Sequence, residues 1–250
     1  MQIQFSHIVC TVLLFFTIWS PATAADFLGP SPYRAFDLPA AGTAVSPFRQ
    51  LAFNYFYLED FEDGQLNTPG VSLREFATAN ISIATSDSVD GDDGVIDGLS
   101  TGTRRSLFSN FATSSYTFDF SKNALGGVLP THAGIVWTDI GRNFGGDPLA
   151  ADLVDNTLFE AFGPTGVSLG VIGLFSLGDS VINRTTPEDR FLGVISLDGI
   201  SAIRISMPGK NNWEVDHLQY GSVASVPEPA GGALLCLGGV VLAYRRRHRR

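Results

Sequence analysis

The chain has 250 residues, 44% of them hydrophobic, and a formal charge of -9; its length admits one large domain or two small ones, and its apolar content excludes wholesale disorder. The charge is unevenly placed: residues 26–225 hold 24 Asp and Glu against 11 Lys and Arg, whereas residues 226–250 hold five arginines and one glutamate. So acidic a central region repels phosphate backbones and anionic lipid surfaces, which excludes nucleic acid as a partner and favours divalent cations.

Residues 8–19 form an apolar run followed by Ser20-Pro21-Ala22-Thr23-Ala24-Ala25. Its length suits the helical core of a signal peptide, and Ala22-x-Ala24 fits the small-residue rule for cleavage, so residues 1–24 read as a signal peptide although no Lys or Arg precedes the run. An uncleaved anchor is the alternative, and export follows either way. Residues 25–50 read as a Pro-rich arm or linker. Prolines at 30, 32, 39 and 47 break any helix, while Tyr33, Phe36 and Phe48 are apolar enough to lie along a domain surface.

From residue 51 the punctuation is that of a β protein. The spacing predicts strands over 54–60, 71–77, 81–85, 115–120, 133–139, 158–162, 167–175, 191–196, 200–207 and 214–220. Many alternate, as in Tyr116-Thr117-Phe118-Asp119-Phe120, and glycine and proline turns such as Gly163-Pro164-Thr165-Gly166 separate them. No window carries helical periodicity. The expectation is an all-β domain over residues 51–222, built as an antiparallel β-sandwich.

The strongest chemical constellation is the acidic run 87–98, where Asp87, Asp90, Asp92, Asp93 and Asp97 crowd into eleven residues that include Gly91 and Gly94 and are followed by Gly98. Such carboxylates repel one another in a compact turn unless a cation neutralises them. Calcium suits the loop because it accepts six to eight oxygens at flexible angles. The spacing approaches an EF-hand without matching it: Asp93-Gly94 arrives one residue early and no glutamate closes the loop. The alternative is a solvated acidic loop.

Catalytic readings find little support. Gly166-Val167-Ser168-Leu169-Gly170 and Gly98-Leu99-Ser100-Thr101-Gly102 both spell G-x-S-x-G, but neither has the strand, elbow and helix that the hydrolase motif requires. His132 and His217 are the only histidines between residues 25 and 225. On a regular strand Asp216 and His217 face opposite sides and cannot pair. A glycosidase needs two facing carboxylates, and no pair stands out. Trp137 and Trp213 could stack on sugar rings; apolar neighbours point to burial of Trp137, whereas Trp213 follows the polar turn Lys210-Asn211-Asn212 and is the better candidate for exposure.

The two cysteines, Cys10 and Cys236, lie in the terminal apolar stretches, so the region between them has no disulfide, thiol nucleophile or thiolate metal site. At the C-terminus, Pro227-Glu228-Pro229 precede the apolar run 230–244, and the chain ends in Arg245-Arg246-Arg247-His248-Arg249-Arg250. The prolines hold an extended strap; the run predicts a short transmembrane helix; the arginines are too costly to pull through a bilayer and stay cytoplasmic. Residues 226–250 therefore read as a membrane anchor that holds the domain outside.

This order of motif, apolar helix and arginine cluster resembles the PEP-CTERM sorting signal of Gram-negative bacteria. The resemblance implies recognition of Pro227, Glu228 and Pro229 by an exosortase, a membrane cysteine protease, and removal of the segment after them. A second resemblance spans most of residues 50–221. Leu58-Glu59-Asp60-Phe61-Glu62-Asp63-Gly64, Arg190-Phe191-Leu192-Gly193-Val194 and Glu214-Val215-Asp216-His217-Leu218 look like the jelly-roll domains of PEP-CTERM proteins. Those are similar to carbohydrate-binding modules in which an early carboxylate and one in the final strand share a structural calcium, which implies Asp60, Glu62 and Asp216 as further ligands. The expected protein is exported, membrane-anchored during sorting and then resident at the cell surface or in an exopolysaccharide matrix. It is expected to be non-catalytic, binding glycan or another surface component; the alternative is a secreted glycan-active enzyme.

Overall fold

A computed structural model describes residues 24–36, 45–75, 79–82, 89, 105–109, 114–139, 157–175, 177, 189–208 and 213–223. The apolar run 8–19, the C-terminal segment 226–250 and the acidic run 87–98 other than Val89, on which the signal-peptide, sorting-signal and calcium expectations fall, lie outside the described residues. The described chain forms twelve strands: β1 Asp26–Pro32, β2 Phe53–Glu59, β3 Val71–Leu73, β4 Ala79–Ser82, β5 Ser106–Ser109, β6 Ser115–Phe120, β7 His132–Asp139, β8 Thr157–Phe162, β9 Ser168–Phe175, β10 Arg190–Ile195, β11 Ala202–Ser206 and β12 Glu214–Val223. No helix occurs among the described residues.

The strands pair antiparallel into two sheets. The larger runs β1-β10-β7-β12-β5-β4, with β2 also on β12, and the smaller runs β3-β6-β11-β8-β9. Two-residue alternation explains how they pack: in β8, Thr157, Phe159 and Ala161 are buried while Leu158, Glu160 and Phe162 are partly exposed. Leu73, Tyr116, Phe118, Phe159, Ile203 and Ile205 of the smaller sheet meet Ala133, Ile135, Trp137, Leu192, Val194, Leu218 and Tyr220 of the larger in one core. Burial of this apolar surface between two sheets is the main stabilising term. The outer face of the smaller sheet instead carries the ion pairs Arg74–Asp119 and Arg204–Glu160.

The outer face of the larger sheet has its own apolar layer. Tyr33, Phe48, Val89, Val136 and Phe191 are buried together there, with Leu28, Phe53, Phe56 and Ile195 against them. Glycines make the floor: a methyl group at Gly134 would lie 2.3 Å from the Phe191 ring, and one at Gly221 would lie 2.8 Å from Phe53. Absence of Cβ on two adjacent strands thus lets aromatic rings lie flat on the sheet.

Two strands were not expected from the pattern. β1 forms within the Pro-rich arm because it is an edge strand, where Pro30 and Pro32 need not donate to a second neighbour. β5 is only four residues, too short for its alternation to register.

Candidate functional site

The two halves of β12 take different partners on one edge. Residues 218–223 pair with β2, whereas Glu214 and Val215 pair with Phe108 and Leu107 of β5. Between them β12 bulges: its register against β7 shifts between Asp216 and Gln219, and His217 adopts φ 42°. Phe61, just past the end of β2, is also left-handed at φ 59°. Each such conformation in a bulky residue costs about 1–2 kcal/mol, so the surrounding structure must over-determine both.

Five buried carboxylates lie on or beside the strands that meet here: Glu59 is 3% exposed, Asp60 and Glu62 6%, Glu214 1% and Asp216 0%. Each accepts a hydrogen bond from the protein. Glu59 closes the loop after β2, taking the N–H groups of Phe61, Asn67 and Thr68 and the Thr68 hydroxyl. Asp60 accepts from the Glu62 N–H at 3.1 Å, Glu62 from the Arg105 N–H at 2.7 Å, and Glu214 from the Ser106 hydroxyl at 2.6 Å. Burial pushes the Glu59 carboxyl above its ordinary range, opposed by those backbone donors.

Asp216 joins the junction to the acidic run. Its Oδ1 accepts the His217 N–H at 2.7 Å and its Oδ2 accepts the Val89 N–H at 2.9 Å. Val89, the one described residue of the run 87–98, is itself buried against Tyr33 and Phe191. Alternation predicts opposite faces for Asp216 and His217, and the bulge overturns this. One extra residue puts both side chains on the outer face, where His217 Nδ1 meets the Tyr33 hydroxyl at 2.8 Å.

The other candidates fall elsewhere. Trp137 and Trp213 are both fully buried in the inter-sheet core. The expected exposure of Trp213 is corrected: its ring turns inward beside Tyr116, at a centroid distance of 4.9 Å, so neither tryptophan offers a face to a sugar. His132 lies under Phe48 and Phe53, hydrogen-bonded to Thr131, and burial lowers its imidazole below the usual histidine range. Ser168 is exposed at the start of β9, its hydroxyl accepting from the Gly170 N–H. Asp87, Asp90, Asp92, Asp93 and Asp97, together with Pro227, Glu228 and Pro229, lie outside the described residues.

Glu59 and Glu214 are not evident as site residues from the sequence, although two-residue spacing before Asp216 places Glu214 on the same strand face. Asp60, Glu62 and Asp216 offer hard oxygen donors that suit calcium. Among the described residues, however, no three His, Cys, Asp or Glu side chains gather closely enough to hold an ion.

The described residues define an all-β body of two packed antiparallel sheets with buried carboxylates where strand β12 changes partners. No family model, curated protein or solved structure matches the chain.

Proposed function

We propose that this is an exported, non-catalytic protein of the cell surface or exopolysaccharide matrix. Its jelly-roll-like sandwich binds polysaccharide or another surface component and is stabilised by calcium. The tail 226–250 first anchors the chain in the membrane and then serves as exosortase substrate through Pro227, Glu228 and Pro229.

The observation that carries the calcium reading is the hydrogen bond from the Val89 N–H to Asp216 Oδ2 at 2.9 Å. Asp87 and Asp90 flank Val89 in sequence. With Val89 held against a buried carboxylate, the acidic residues next to it in sequence face repulsion from Asp216, which low local polarity strengthens. A cation that takes oxygens from both Asp216 and the residues around Val89 removes that cost. Burial favours the non-catalytic reading over a glycan-active enzyme: no junction carboxylate is more than 6% exposed, whereas a glycosidase pair must flank a sugar in an open cleft.

Thermal unfolding of the full chain in detergent, in calcium and in chelator, tests this. Calcium at a hundredfold excess over its dissociation constant contributes about 2.7 kcal/mol, which for a domain of this size raises Tm by roughly 5–10 °C. Asp216→Asn is expected to abolish the response. A wild-type transition that chelator leaves unmoved contradicts the calcium reading, whatever the variant does.

A further inference from the structure

Among the described residues six large apolar side chains stand exposed: Leu51, Val128, Val167, Val171, Leu174 and Leu197. Three of them, Val128 at 52%, Val167 at 66% and Leu197 at 61%, sit on three loops at one end of the sandwich. Those loops, 121–131, 163–167 and 196–201, are joined. The Ser201 hydroxyl donates to the Gly163 carbonyl at 2.6 Å, the Ile200 N–H donates to the Pro130 carbonyl at 2.8 Å, and the Tyr55 hydroxyl donates to the Val128 carbonyl at 2.9 Å. A methyl group at Gly199 would lie 3.1 Å from Leu129 and 3.6 Å from Pro164, so the three loops meet at that glycine. Their only charges, Lys122 and Asp198, cancel, on a domain that is otherwise strongly acidic.

Both ends of the folded body leave from this same pole. Asp26 pairs with Ile195, Ile195 with His132, and His132 with Gly221. The Val223 N–H donates to the Thr131 hydroxyl at 3.1 Å. Val223 is the last described residue, and six residues separate it from the apolar run that begins at Ala230. Fully extended, that stretch spans at most roughly 25 Å.

Resting on the reading of the tail as an anchor, we propose that Val128, Val167 and Leu197 form a lipid-docking surface that seats the sandwich on the outer face of the bilayer. A short tether keeps this pole at the membrane. Side chains of this size gain by entering the boundary between headgroups and acyl chains, and balanced charge spares the loops the repulsion that anionic lipid exerts on the rest of the domain. Docking also holds the Pro-Glu-Pro strap close to the bilayer, where a membrane protease acts.

The test uses the full chain with Cys10→Ser and Cys236→Ser, reconstituted into vesicles of phosphatidylethanolamine and phosphatidylglycerol. An environment-sensitive fluorophore is attached at Val128→Cys, Val167→Cys or Leu197→Cys, or at the exposed Ser114→Cys of the opposite end as control. A nitroxide lipid labelled near the headgroup is expected to quench the three loop positions about twofold or more beyond the control. Chain that floats with the vesicles while its loop labels are quenched no more than the control overturns the docking and leaves the anchor standing. Chain that does not float overturns the anchor reading and the inference with it. Loop fluorescence that changes with protein concentration in detergent alone assigns the patch to a second copy and likewise overturns it.

Discussion

Phe48 is the sharpest place to perturb the outer apolar layer. It is 1% exposed, and its ring meets Phe53, His132 and Phe191 at centroid distances of 6.4, 5.4 and 5.3 Å. Phe48→Ala removes a buried aromatic, which in a closed core costs about 3–5 kcal/mol. Here the site lies between an arm and a sheet face, so the arm can settle or water can enter, and the expected loss falls at the low end, about 3 kcal/mol. For a domain of this size that lowers Tm by roughly 6–12 °C, measurable by calorimetry. A second readout separates loss of packing from general damage. With Phe48 gone, His132 is wetter, so its imidazole titrates closer to the ordinary histidine value in NMR. A loss under about 1 kcal/mol with His132 unmoved would refute the claim that the arm is part of the fold.

Histidine titration and tail processing offer two more tests. His132 has its folded pKa lowered by burial, so the unfolded chain binds the proton more readily. Its contribution is present above the unfolded value near 6.5 and is lost as pH falls through the lower folded value, at no more than about 1.4 kcal/mol per pH unit. Tm of wild-type protein is therefore expected to fall more between pH 7.5 and 5.5 than that of His132→Asn, and equal slopes contradict the assignment. Glu228→Ala in cells that contain an exosortase is expected to accumulate as a full-length band on immunoblots, and unchanged processing removes the sorting reading.

Where burial follows two-residue alternation, the architecture is readable directly. Tyr116-Thr117-Phe118-Asp119-Phe120 reads as a strand and is β6. The failures share one cause, because each depends on partners distant in sequence. Pro30 and Pro32 look like breakers until an edge position makes their missing donors harmless. Trp213 follows a polar turn, yet the space beside Tyr116 draws it inward. Nothing local to Asp216-His217 announces a bulge. It arises where β12 changes partner from β2 to β5, and it turns two residues that should face apart toward one side. For the junction, the resemblance supplied Asp60, Glu62 and Asp216, whereas Glu59 is recognised only once Phe61, Asn67 and Thr68 turn their donors toward it.

Export, sorting and the membrane-facing pole all depend on which side of the inner membrane the folded body occupies. Ser72→Cys, exposed on β3, in a full chain lacking Cys10 and Cys236, is treated in spheroplasts with a membrane-impermeant maleimide. Labelling is expected with the inner membrane intact. Labelling only after that membrane is lysed contradicts it.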